Sequence, residues 1–145
     1  MRLTTFADHG LRALIYLACQ DGRRVPTAEI AQAYGISLDH LQKIVRQLGR
    51  LGLVELRRGQ GGGLTLAQEP AAISVGAVLR DLEGDIPLLE CFDPDQDACV
   101  ISPACGLKAP FQRAQEAFFA ELDGLSLADV LGPNRAARLR ALLEG

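Results

Sequence analysis

Apolar residues Phe6, Ala7, Leu11, Leu14, Ile15 and Ala18 recur at helical spacing, which predicts a first helix from Thr4 or Thr5 to Gln20, stopped by Asp21-Gly22. Pro26-Thr27 opens a second, short helix running to Tyr34, with Thr27 as its expected N-cap, Glu29 in its first turn and Gly35 as a left-handed exit. After the single residue Ile36, Ser37 is expected to cap a third helix that ends near Gly52. Leu41, Ile44, Val45 and Leu48 give that helix an apolar stripe, while Asp39, Gln42, Lys43, Arg46 and Arg50 occupy its opposite face.

The period then changes. Leu53 to Arg58 has strand propensity, Gly59-Gln60-Gly61-Gly62-Gly63 is a turn, and Leu64-Thr65-Leu66 is a second short strand. Two helices joined through a glycine turn and followed by such a hairpin describe a winged helix-turn-helix. Gly59 to Gly63 is no phosphate-cradling loop, because no Gly-Lys-Ser/Thr follows and no helix opens there. Beyond Pro70, Ser74 is placed to cap a helix carrying Val75, Val78, Leu79 and Leu82, ended by Gly84. Asp85 to Gly106, interrupted by Pro94 and Pro103, reads as an irregular loop. From Leu107 a stripe of Phe111, Ala114, Phe118 and Leu122 predicts a long helix, with a homodimer seam as its expected partner and packing on its own domain as the alternative. Ser126 to Leu131 and Arg135 to Leu143 suggest two further short helices. The expected fold is therefore mainly α with a small β-hairpin. It comprises a winged helix-turn-helix domain (1–84), a cysteine-bearing loop (85–106), and a dimerisation helix with C-terminal helices (107–145).

The charge distribution sharpens this picture. The net charge of −3 over 145 residues conceals nine basic against five acidic residues up to Gln68, or +4, and six basic against 13 acidic beyond it, or −7. The basic half contains the helix-turn-helix and is where a polyanion would sit. Lys43, Arg46, Arg57 and Arg58 are candidates for phosphate or groove contacts, with Arg50 on the same helix face. Ser37, His40 and Gln42 are candidates for base edges, and Gln60 lies at the tip of the hairpin. No run approaches the roughly 18 apolar residues of a spanning helix, and no signal-peptide core follows Met1, so a cytoplasmic protein without membrane contact is expected.

Four cysteines and two histidines nearly exclude a His-rich hydrolytic zinc site. Cys19 falls within the apolar pattern of the first helix and reads as a small buried hydrophobe. Cys91, Cys99 and Cys105 lie within 15 positions on the irregular loop, separated by seven and five residues. Structural disulfides do not suit a cytosolic address, and a structural zinc site would show a Cys-x2-Cys pair. Thiolates on irregular, widely spaced backbone also suit an iron-sulfur cluster, and three cysteines leave one iron needing a further ligand. That ligand could be Cys19, another side chain or a small molecule. No acid, base and nucleophile constellation supports an enzyme, and a winged helix has no use in an iron-sulfur electron carrier.

Three sets of residues carry a resemblance that spans nearly the whole chain: Met1-Arg2-Leu3-Thr4 with Leu11-Arg12-Ala13-Leu14, Arg57-Arg58-Gly59-Gln60-Gly61-Gly62-Gly63, and Cys91, Cys99 and Cys105. They resemble the cluster-binding winged-helix repressors. Phe6 to Tyr16 and Ile101 to Lys108 are most similar to the nitric-oxide-sensing branch of that family. The resemblance implies a homodimeric repressor that binds operator DNA while its three cysteines hold a 4Fe-4S cluster. It further implies that Asp8 of the partner subunit completes the cluster, and that nitric oxide is the signal. Arg12, four residues on, would pair with Asp8 and orient it. Other members place a histidine shortly after the third cysteine, where this chain has Leu107 and Lys108, which weighs against a 2Fe-2S cluster. A redox- or iron-sulfur-status regulator of the same architecture is the alternative.

Overall fold

A computed structural model describes residues 2–84 and 87–145. Its order is α1 (Thr5–Ala18), α2 (Thr27–Tyr34), α3 (Leu38–Arg50), β1 (Val54–Arg57), β2 (Gly63–Leu66), α4 (Val75–Glu83), α5 (Lys108–Asp123) and α6 (Leu127–Glu144). The residues that punctuate the sequence explain most of the helix ends. The Thr4 hydroxyl accepts from the Ala7 N–H at the start of α1, and Ser74 accepts likewise from Ala77 at the start of α4. At α2, Pro26 occupies the cap position and Thr27 becomes the first helical residue, so Thr27 does not cap its own helix. Gly35 closes α2 at φ 63°, a conformation that glycine adopts without the strain a Cβ would add.

The amphipathic pattern of α3 is realised as expected. Leu41, Ile44, Val45 and Leu48 are buried against α1, where Leu14 is fully enclosed, and against Leu64 of the hairpin. β1 and β2 pair antiparallel with Val54 opposite Leu66 and Arg57 opposite Gly63. Val25 adds a bridge to Leu64 through reciprocal backbone hydrogen bonds of 2.9 and 2.7 Å, which ties the root of the wing to the segment entering α2. At Gly63 a Cβ would stand within about 3 Å of the Val25 backbone, so this contact needs glycine.

The core continues into the C-terminal third, where Leu127 and Leu131 are buried. The expected boundary between Gly84 and Asp85 falls partly on Asp85 and Ile86, outside the described residues. α5 lies on α4 through Phe118, Phe119 and Leu122, while Phe111 near its start stays 41% exposed. The apolar stripe is thus used unevenly: its C-terminal half packs on its own chain and its N-terminal half remains outward. Arg80 of α4 fixes the crossing with a bidentate pair to Asp123 (2.7 and 2.9 Å) and by stacking on Phe119. Gly76 makes the close approach possible, because a Cβ there would collide with the backbone at Leu122 and Asp123.

The two short C-terminal helices expected from sequence are continuous except for a break at Gly132 (φ 55°, ψ 170°), followed by Pro133. Ser126 and Asp129 form a reciprocal capping box at the start, and these hydrogen bonds hold the Asp129 carboxyl below the usual carboxylate range. The second half of α6 returns to the N-terminal domain, where Arg140 donates to the Cys19 carbonyl (2.8 Å) and pairs with Asp21 (2.7 Å).

Candidate nucleic-acid interface and cysteine loop

The outward side of α3 and the hairpin form one surface. Thr27, Gln42, Val45, Arg46, Leu56 and Arg58 line a concavity of about 400 Å³ between α2, α3 and the wing. Gln42, Arg46 and Arg58 were legible as candidates from sequence, whereas Thr27 and Leu56 join them only through the fold. Ser37, Lys43, Arg50, Arg57 and Gln60 are exposed on the elements that frame this surface. Among the described residues, the ion pairs involve Arg12, Arg23, Arg80 and Arg140, and none engages Lys43, Arg46, Arg50, Arg57 or Arg58. Cations outside ion pairs can meet phosphates without first breaking a salt bridge, and Arg46 is tied only by a hydrogen bond from its Nε to the Gln42 carbonyl (3.2 Å).

His40 does not join this group. Its ring is turned toward α1, 5.3 Å from the His9 ring and 6.2 Å from Phe6, in edge-to-face arrangements. His40 Nε2 and His9 Nδ1 are buried without hydrogen-bond partners. Burial, reinforced by the charge His40 would carry, lowers the His9 pKa from its ordinary value and favours the neutral ring. Position 40 lies on the flank of α3 between its apolar stripe and its exposed row, a position whose side-chain direction periodicity alone does not fix.

Asp8 and Arg12 occupy the accessible side of α1. Arg12 Nε donates to Asp8 Oδ1 (3.1 Å) and Nη2 pairs with Oδ2 (2.8 Å), so both carboxylate oxygens are engaged. Each side chain is over two-fifths exposed, and such an i,i+4 pair contributes only about 0.3–0.5 kcal/mol. The Tyr34 hydroxyl donates to the Arg12 carbonyl (3.1 Å) and its ring lies 6.0 Å from the guanidinium, which links this pair to the end of α2. Sequence reading did not single out Tyr34, since nothing in the local pattern connects positions 22 apart.

Among its described residues, the loop carrying Cys91, Cys99 and Cys105 has two short 3-10 turns, Glu90–Phe92 and Ser102–Ala104. All three cysteines are free thiols, with Cys99 exposed and the others half-buried; Cys19 is free and fully buried, and burial raises its pKa. Side chains organise the loop: Glu90 accepts from the Ala98 N–H, and Asp97 accepts from the Cys99 N–H and the Ser102 hydroxyl. Among the described residues, no three His, Cys, Asp or Glu side chains converge closely enough to hold a metal ion. The single chain therefore presents the thiols without assembling them.

Residues 3–133 match Rrf2, the iron-dependent transcriptional regulator family. The chain belongs to the Rrf2 family. This Rrf2 regulator is 44% identical to the HTH-type transcriptional regulator NsrR of Bacillus subtilis over 132 residues, covering 90% of either chain. Its fold is similar to IscR from T. potens, with a TM-score of 0.71 at 28% identity over 90% of this chain and 86% of that one. It is similar too to CymR, the global cysteine regulator of B. subtilis, with a TM-score of 0.69 at 30% identity over 90% and 95%. The Rrf2 chain is thus a DNA-binding transcriptional regulator of winged-helix fold and not an enzyme. No helix among its described residues is long and apolar enough to cross a membrane.

The basic surface gives a direct test. Arg46→Ala and Arg58→Ala are each expected to weaken binding to all duplexes alike and to lower the slope of log affinity against log salt by about 0.9, the value for one lost phosphate contact. Titrations of both variants from low to moderate salt measure this, and wild-type slopes would move the phosphate contacts elsewhere.

Proposed function

We propose that this Rrf2 regulator is a homodimeric repressor, in the cytoplasm, that binds operator DNA while Cys91, Cys99, Cys105 and Asp8 of the partner subunit hold a 4Fe-4S cluster, and that nitric oxide releases it from the operator. The observation that carries the reading is the set of three unpaired, accessible thiols on one irregular loop. It is supported by the 44% identity to an NsrR regulator and by the resemblance of Ile101 to Lys108 to the nitric-oxide-sensing branch. The donor set fits such a group. Thiolates are soft ligands suited to iron-sulfur iron, and a loop without strands or long helices can close around a body several ångströms across.

When bound, the cluster supplies iron that nitric oxide can attack, and a hard carboxylate among soft thiolates marks its most labile corner. The protein's own part is mechanical. Asp8 must loosen its pair with Arg12 to become a ligand, and that pair is weak. One Asp8 oxygen can keep its contact with Arg12 while the other becomes the ligand, and the Tyr34 hydroxyl ties the Arg12 main-chain carbonyl to α2. α1 packs directly on the recognition helix, with Gly10 against Ile44 and His9 against His40. An inter-subunit bond at Asp8 therefore fixes the two α3 helices relative to each other. Half-sites one helical turn apart require a separation near 34–36 Å, so a shift of a few ångströms prevents both helices from docking together.

The test is anaerobic purification followed by iron and sulfide counts per monomer, a visible absorption spectrum, and operator binding before and after nitric oxide. Four irons and four sulfides per monomer, with operator release on nitric oxide, are expected. Zinc without sulfide, or unchanged binding after nitric oxide, would overturn the reading.

A further inference from the structure

The start of the recognition helix holds an apolar side chain that the core does not use. Leu38 is the first residue of α3, is 40% exposed, and lies outside the hydrophobic cluster that encloses Leu41, Ile44, Val45 and Leu48. It heads the i, i+4, i+8 row that continues through Gln42 and Arg46, and those two side chains line the concavity facing the wing. Helical side chains lean toward the N-terminus, so Leu38 reaches past the start of α3, the part of a recognition helix that meets base edges. On its own row of α3 the residues that follow, Gln42 and Arg46, are polar and cationic. A branched aliphatic side chain offers nothing to a phosphate.

The geometry points to Leu38 as a specificity-determining residue that reads a thymine C5-methyl group in the major groove of each half-site. The methyl is the one apolar feature that a base pair presents there, and contact with an aliphatic side chain discriminates thymine without a hydrogen bond. Continuity with the basic row commits the surface to DNA: Arg46 and Arg58 hold the backbone on either side, leaving Leu38 against the base edges. This rests on the assignment of the α3 face as the DNA-reading surface. It replaces His40, whose ring is turned toward α1, with a residue on the exposed row.

The full chain, in its DNA-binding form, is used to select duplexes from a random library. Thymines in the selected duplex are then replaced one symmetric pair at a time by uracil, which lacks only the methyl. Wild type is expected to lose about tenfold in affinity at one pair, as burial of one methyl in each of two half-sites predicts, and little at the others. Leu38→Ala is expected to bind the unmodified duplex about tenfold more weakly and to lose the uracil penalty at that pair alone. A uracil penalty that persists in Leu38→Ala, or no penalty at any thymine in wild type, overturns the proposal. If Arg46→Ala still weakens binding in that case, the α3 face remains the DNA surface and only the methyl contact fails. If Arg46→Ala is also without effect, the face itself is misassigned.

Discussion

Cys91→Ala, Cys99→Ala and Cys105→Ala are each expected to abolish the iron-sulfur cluster and to reduce operator affinity to the level of non-specific DNA, a loss of roughly a thousandfold or more. The fold is expected to survive all three. These side chains are exposed or half-buried and lie outside the core, so their removal costs within about 0.5–1 kcal/mol of stability. Cys19→Ala has the opposite profile: it opens space in a fully enclosed site and destabilises by about 1 kcal/mol or more, yet keeps the cluster. Thermal unfolding, iron and sulfide counts and operator binding on the four variants separate the two classes. A normal cluster in any loop variant would remove that cysteine from the ligand set.

Asp8 carries the second large effect. Asp8→Ala is expected to assemble a cluster on three cysteines that exchanges on the order of ten- to a hundredfold faster than wild type and supports weaker operator binding. Asp8→Cys is expected to react more slowly with nitric oxide, because a fourth thiolate matches iron better than a carboxylate does. Stopped-flow mixing with nitric oxide, followed by absorption and by operator release in parallel, reads both. In wild type, release is expected to precede the end of the absorption change, since loss of the proposed inter-subunit bond at Asp8 is enough to free α1. Identical spectra and kinetics in both Asp8 variants would leave Asp8 as nothing more than the helical partner of Arg12.

Periodicity and punctuation made most of the fold readable. The stripe of α3, the cap at Ser74 and the left-handed exit at Gly35 are local signals that tertiary packing reinforced. Thr27 was misplaced by one position because proline and threonine both suit a helix start, and which of them takes the cap depends on backbone geometry. Leu38 illustrates a deeper limit. Its spacing of three from Leu41 and seven from Val45 matches the core stripe, yet it opens the helix beyond the edge of the core and stays exposed. His40 is the converse, a polar residue at a helix flank that finds half-buried aromatic neighbours on α1. The loop cysteines were legible as a group from composition and spacing. In the proposed homodimer, what they face depends on a second subunit, which no local pattern encodes.

The contact between Arg140 and the end of α1 also bears on how the chain matures. The Thr4 N–H and hydroxyl meet the Glu83 carboxylate, 79 positions away, and the Cys19 carbonyl meets Arg140, 121 positions away. α1 is thus secured at its start by the end of α4 and at its end by α6, which is made more than a hundred residues later. Closing such long loops is slow relative to helix formation. A nascent chain arrested near Gly132 would have its helix-turn-helix formed but the far end of α1 unanchored, with the Cys19 side uncovered by α6. Synthesis therefore orders the protein's two capacities: the DNA-reading helices are complete early, and the rigid seating of the helix that carries Asp8 comes only once α6 has been made.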